Sequence, residues 1–130
     1  MLWSLFAAPT EAAQARFTQP DAARHPNLFT WTDTCNVHIV RDGDAALLID
    51  LGDGSVLDHL AEIGVKKVEW VLFTHHHREQ CQGAARLKEL GAKLAAPEAE
   101  RDLFEKPTDF RRLNVRLGDR FTIHGASYVR

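Results

Sequence analysis

Apolar residues fall in short runs along this chain, and most runs end at a glycine, a proline or a charged pair. Leu28 to Thr32 and Asn36 to Arg41 are two such runs, each the length of a strand. Asp42-Gly43-Asp44 follows as a turn signal, because glycine takes positive φ cheaply. Ala45 to Asp50 is a third run, so Val37 to Asp50 predicts a hairpin. After the glycine-rich turn Leu51-Gly52-Asp53-Gly54, Ser55 can cap a helix in which Val56, Leu57, Leu60 and Ile63 repeat at helical spacing up to Gly64. Val68 to Thr74 reads as a buried strand. Glu79 to Leu90 predicts a second helix, with Ala84, Ala85, Leu87 and Leu90 as its apolar stripe and Gly91 as its stop.

Lys93 to Ala96 is a short strand, and Pro97 opens a helix running through Phe104. Lys106 to Arg112 is a polar loop. Asn114 to Leu117 and Arg120 to His124 flank a turn at Gly118-Asp119, and Ser127 to Arg130 begins another strand. The order is hairpin, then strand-helix-strand-helix, then hairpin. That order predicts an α/β fold with helices covering a mixed sheet. Ahead of it, Thr10 to Arg24 lies between Pro9, Pro20 and Pro26 as a short helix or an irregular lead-in. Residues 1–27 are therefore expected to form an N-terminal arm and residues 28–130 the domain.

Composition changes little in this picture. At 130 residues, 45% hydrophobic and 26% charged, the chain is an ordinary globular domain or part of one. A net charge of -2, with no basic run longer than Lys66-Lys67 or Arg111-Arg112, gives no electrostatic case for nucleic acid or an anionic membrane. No stretch approaches the roughly 20 apolar residues of a membrane span. Two cysteines, Cys35 and Cys81, make no secreted disulfide framework and suit a reducing cytoplasm. The apolar start Met1 to Pro9 lacks a positively charged lead and is expected to be an arm and not a signal peptide.

The chemistry concentrates after the fourth predicted strand, in Thr74-His75-His76-His77-Arg78-Glu79-Gln80-Cys81-Gln82-Gly83. On an extended segment residues two apart share a side, so His75 and His77 would face one way and His76 the other. Imidazole pairs of this kind suit a divalent metal. Glu79 has a purely structural use as well, as a negative charge at a helix N-terminus. Cys81 is a possible ligand or, on a core-facing helix, a small hydrophobe. His25, His38 and His59 fit no ligand spacing.

Leu47-Leu48-Ile49-Asp50-Leu51-Gly52-Asp53-Gly54, taken with Thr74 to Gly83, resembles the metallo-β-lactamase superfamily, whose signature reads Thr-His-x-His-x-Asp-His-x-Gly-Gly. Thr34 to Val40 resembles that family's opening strand, and the likeness runs from about Leu28 to Arg130. The resemblance implies a metallo-β-lactamase-like αββα sandwich, present as its N-terminal half only. It implies that His75 and His77 are metal ligands of a first zinc site and that Asp50 is the structural acid beneath it. Glu79 and Gln80 stand where the family has the Asp and His of a second site, Gln82 replaces the first glycine, and Gly83 matches the second. A neutral amide is a weak zinc ligand and Glu is one methylene longer than Asp, so one zinc ion is expected, with iron or manganese as alternatives. Glu79 would then serve as a catalytic general base.

A catalytic zinc takes three protein ligands. In the family the third follows a hairpin like Leu117 to Arg130, and His124 lies on that hairpin's turn, where a small residue is usual. The expected function is a metal-dependent hydrolase, in which a metal-activated water attacks an ester, thioester, lactone or related bond of a small molecule. The alternative is a non-catalytic domain that keeps the fold for binding or assembly. Half a sandwich leaves an apolar sheet face uncovered, so the remainder of the polypeptide or a second chain is expected to complete it. The 130 residues alone are expected to be inactive.

Overall fold

The computed structural model describes residues 16–106, 120–123 and 126–129, the last two stretches as backbone. Two compact units divide at Ala95/Ala96. The first holds a six-stranded sheet in simple chain order: β1 (Phe17–Thr18), β2 (Leu28–Thr32), β3 (Asn36–Asp42), β4 (Ala45–Ile49), β5 (Lys67–Leu72) and β6 (Lys93–Ala95). Strands β1 to β4 form an antiparallel meander, and β4, β5 and β6 are parallel. The mixed α/β sheet expected from the hydrophobic pattern is therefore present. The lead-in contributes β1, which the pattern missed: two residues are too short a run for periodicity to register.

Register places Phe29, Ile39, Leu48 and Val71 in one row across the sheet, and all four are buried. Trp31 and Val37 extend the same face. The segment between β4 and β5 covers it, since Trp31 stacks on His59 at 4.9 Å and Arg41 donates to the carbonyl of Ile63 at 2.8 Å. The other face carries Leu28, Val40, Leu47 and Trp70 in register. Val40 and Trp70 remain 43% and 37% exposed there.

The crossovers differ from the helices expected. Ser55–Asp58 and Leu60–Ile63 are two 3-10 segments, broken at His59, where one helix was predicted. Gly54, at φ 88°, precedes the first, and Ser55 makes no capping bond. The predicted Glu79–Leu90 helix is likewise three pieces: α1 (Arg78–Cys81), a 3-10 segment Gln82–Arg86, and α2 (Leu87–Leu90). The reason is close packing. A Cβ on Gly83 would lie 2.5 Å from Gly54 Cα, and Arg86 reaches across to Asp58 at 2.6 and 3.0 Å and to the Gly54 carbonyl at 2.8 Å. Contacts that close set the backbone path, and helical periodicity yields to them.

Strand β5 also departs from expectation. Ala46 pairs with Val68 and Leu47 with Trp70, which leaves Glu69 unopposed as a bulge. The extra residue shifts the alternation, so Val68, Val71 and Phe73 are buried while Glu69 and Trp70 are exposed. The strand predicted as wholly buried is one-sided.

The second unit contains α3 (Arg101–Glu105), preceded by a 3-10 turn at Glu98–Glu100, and a hairpin of β7 (Arg120–Ile123) and β8 (Ala126–Val129). The predicted Asn114–Leu117 strand, the Gly118-Asp119 turn, His124 and most of the Lys106–Arg112 loop lie outside the described residues.

The Gly54–Gly83 contact is expected to be intolerant of a single added methyl. Gly83→Ala should lower the unfolding free energy in urea by roughly 1–3 kcal/mol, the usual cost of overpacking. An unchanged midpoint would show that the two crossovers do not touch in solution.

Candidate metal centre

Asp50 follows β4 and His75 to His77 follow β5, so both groups sit at the carboxyl ends of neighbouring parallel strands. Open α/β sheets place their ligand sites at that edge. The chain turns there sharply: Asp50 has φ 61°, the one positive φ at a non-glycine among the described residues. A left-handed aspartate costs about 1–2 kcal/mol, and surrounding bonds hold it. Its N–H donates to the carbonyl of Leu72 at 2.8 Å. Its buried carboxylate accepts the Thr74 N–H on Oδ1 and the Thr74 hydroxyl on Oδ2, both at 2.8 Å.

The Thr74 oxygen also lies 2.8 Å from Nδ1 of His75. The His75 and His77 rings meet edge-on with centroids 4.5 Å apart. His76, expected to point away from this pair, lies edge-on to His77 as well, at 5.1 Å. The chain has left the strand by Phe73, and His77 sits at φ -59° and ψ 148°, so two-residue alternation no longer applies.

Main-chain bonds fix the segment after the histidines. The Leu51 N–H donates to the Gln80 carbonyl at 3.0 Å, the Gly83 N–H to the Gly52 carbonyl at 2.9 Å, and the Thr34 hydroxyl to the Glu79 carbonyl at 2.8 Å. Glu79 itself is exposed on the first turn of α1. Gln80 is half-buried, and its Oε1 is a sealed acceptor without a hydrogen-bond partner. The Cys81 thiol donates to the His75 carbonyl at 3.4 Å.

Two residues that sequence reasoning passed over complete the surroundings. Asp33 accepts from the Trp31 indole (3.2 Å), the Thr34 hydroxyl (3.2 Å), the Cys35 N–H (3.2 Å) and the Ser55 hydroxyl (3.3 Å). Thr34, beside it, carries the bond to Glu79. An aspartate in the bend between β2 and β3, followed by Thr-Cys, carries no spacing signal that would have found them. The other histidines have local partners: His38 lies 3.1 Å from the Thr30 hydroxyl, and His59 lies 2.8 Å from Glu62.

His75 and His77 thus supply two imidazoles at one place, which fits two of the three protein positions of a catalytic zinc. The unsatisfied Gln80 oxygen, three residues after His77, is a buried acceptor without a partner. Among the described residues no group of three or more His, Cys, Asp or Glu comes together closely enough to hold a metal. His124 lies outside them.

The profile of the metallo-β-lactamase superfamily matches residues 30–129, and the chain belongs to that superfamily. Among solved structures it is similar to BJP-1, a subclass B3 metallo-β-lactamase of Bradyrhizobium japonicum, with 26% identity and a TM-score of 0.57 over 79% of this chain and 47% of that one. A mutant of the Cronobacter sakazakii metallo-β-lactamase with a HARLDQ motif matches at 18% identity and TM-score 0.58, over 81% and 50%. MIM-1 from Novosphingobium pentaromativorans matches at 23% and 0.57, over 74% and 44%. The chain spans about half the length of these structures. No curated protein matches it in sequence. The metallo-β-lactamase-like fold expected from the motifs is confirmed.

Cys35 shows the electrostatic character of this edge. Burial, then the negative charges of Asp33 and Asp50, push its thiol up from 9.0 to about 11, against the Gly52 N–H, with Glu79 adding a smaller push. With Cys81→Ser removing the other thiol, folded Cys35 is expected to alkylate roughly tenfold more slowly than the urea-unfolded chain at mildly alkaline pH. The thiolate fraction falls about a hundredfold, and greater nucleophilicity restores about tenfold. Asp33→Asn should speed the reaction. Equal folded and unfolded rates would show that these charges do not reach the sulfur.

Proposed function

We propose that this chain carries the metal-binding strand ends of a metal-dependent hydrolase, with His75 and His77 as ligands and Glu79 as general base. The observation that supports this reading is the edge-on His75–His77 pair at the carboxyl ends of parallel strands. A zinc ion, or iron or manganese in its place, supplies Lewis acidity and a water that ionises near neutral pH. His75 and His77 hold their rings together for it. A carboxylate oxygen of exposed Glu79 takes the proton of the attacking water. The sealed Oε1 of Gln80 accepts a hydrogen bond or contributes weakly to a second cation. Bonds open to such attack are esters, thioesters, lactones and related acyl linkages of small molecules.

The remaining ligand and the substrate contacts belong to the rest of the polypeptide or to a second chain, seated on the part-exposed face of Leu28, Val40, Leu47 and Trp70. Among the described residues no helix is long and apolar enough to cross a membrane. A reducing cytoplasm, where Cys35 and Cys81 stay thiols, suits both side chains.

A second reading is favoured by Glu79 and Gln80 at the second-site positions: the fold persists for binding and the metal is lost. Metal content of the full-length protein after zinc loading separates the two. The hydrolase reading expects zinc near one equivalent, removed by His75→Ala and by His77→Ala. Full-length protein that retains no zinc, iron or manganese sinks it and leaves the binding domain. If the open face awaits a partner layer, the isolated chain should bind a hydrophobic dye or self-associate, and Trp70→Lys should reduce both. A monomer that unfolds cooperatively without binding the dye would refute that part.

A further inference from the structure

We propose that Thr74 is a positioning residue: its hydroxyl relays the charge of Asp50 to His75 and fixes which ring nitrogen remains free for a metal. The claim about the ring rests on geometry alone, and only its consequence for metal binding rests on the hydrolase reading.

The Thr74 oxygen lies 2.8 Å from Asp50 Oδ2 and 2.8 Å from His75 Nδ1. A hydroxyl has one proton to give and two lone pairs to offer. A carboxylate only accepts, and Oδ1 of Asp50 already takes the Thr74 N–H at 2.8 Å. The hydroxyl proton therefore goes to Oδ2. The same oxygen can meet Nδ1 of His75 only as an acceptor, so Nδ1 carries a proton and, in the neutral ring, Nε2 keeps its lone pair. The opposite order would need Asp50 to hold a proton and donate it to Thr74.

The Asp50 end of the relay is anchored, while Thr74 is exposed and His75 half-buried. Asp50 is 7% exposed and locked in its left-handed turn, and the Thr74 main chain is bonded to the same carboxylate as its side chain. Histidines that bind metals commonly have the second nitrogen tied to a carboxylate or a carbonyl, which sets tautomer and ring angle. Here a threonine hydroxyl stands between the two.

Long-range proton–nitrogen correlation on the metal-free, nitrogen-15-labelled chain reads the tautomer directly. Wild type and Thr74→Ser are expected to show His75 protonated at Nδ1, and Thr74→Val a shift towards the Nε2-protonated form. Asp50→Asn is the sharper variant. Its amide donates to the Thr74 hydroxyl, which must then donate to Nδ1, so the tautomer should reverse. Zinc affinity of the full-length protein, from chelator competition, should fall roughly 10–100-fold in Thr74→Val and hold within about threefold in Thr74→Ser.

A wild-type His75 protonated at Nε2, or a folded Asp50→Asn chain with an unchanged tautomer, overturns the relay. Equal zinc affinity in wild type and Thr74→Val overturns its consequence. Should Thr74→Val fail to fold, Asp50→Asn and Thr74→Ser decide. The expected tautomer in this chain, with no zinc affinity in the full-length protein, would remove the hydrolase reading and leave the relay intact.

Discussion

Asp50 is the point on which the functional edge turns. Its carboxylate joins the end of β4 to the end of β5 by two bonds to Thr74, and its own N–H continues the parallel ladder to Leu72. Only because that junction is tied does the chain after Phe73 leave the sheet at a defined place. The left-handed conformation at Asp50 has an energetic cost that these bonds offset. Strain of this sort at a strand end accompanies sites where geometry must be held, and the histidine pair lies one residue past the second bond.

The mixed sheet and its three longest antiparallel strands were legible from residue pattern. Leu28–Thr32, Asn36–Asp42 and Ala45–Ile49 are strands within a residue of their predicted bounds, because apolar runs between turn formers are local signals. The crossovers were less legible. Helical spacing at Val56, Leu57, Leu60 and Ile63 is real, yet the contact of Gly54 with Gly83 and the Arg86 clamp on Asp58 reshape the backbone into 3-10 turns. Those contacts join residues about thirty positions apart, which no window of periodicity sees. The bulge at Glu69 escaped for the same reason, since it exists only in relation to β4.

At this edge, the motif singled out His75, His77, Asp50, Glu79 and Gln80, and the structure brings the His75 and His77 rings together and ties Asp50 to Thr74. The motif did not reveal Asp33, whose carboxylate gathers four donors from three segments, nor Thr34, whose hydroxyl reaches Glu79. Both act through tertiary neighbours that the linear chain does not display. His76 shows the limit of a strand rule carried past the end of a strand.

The hydrogen bonds that fix residues 79 and 80 use the main chain: the carbonyl of Glu79 and the carbonyl and N–H of Gln80. At these two positions the scaffold holds the backbone without reference to the side chain. Glu79 and Gln80 can therefore be exchanged for other groups while their Cα atoms stay in place. Side-chain identity at 79 and 80 is thereby separable from the backbone path that carries it, and one fold can change the chemistry of this edge without refolding around the change.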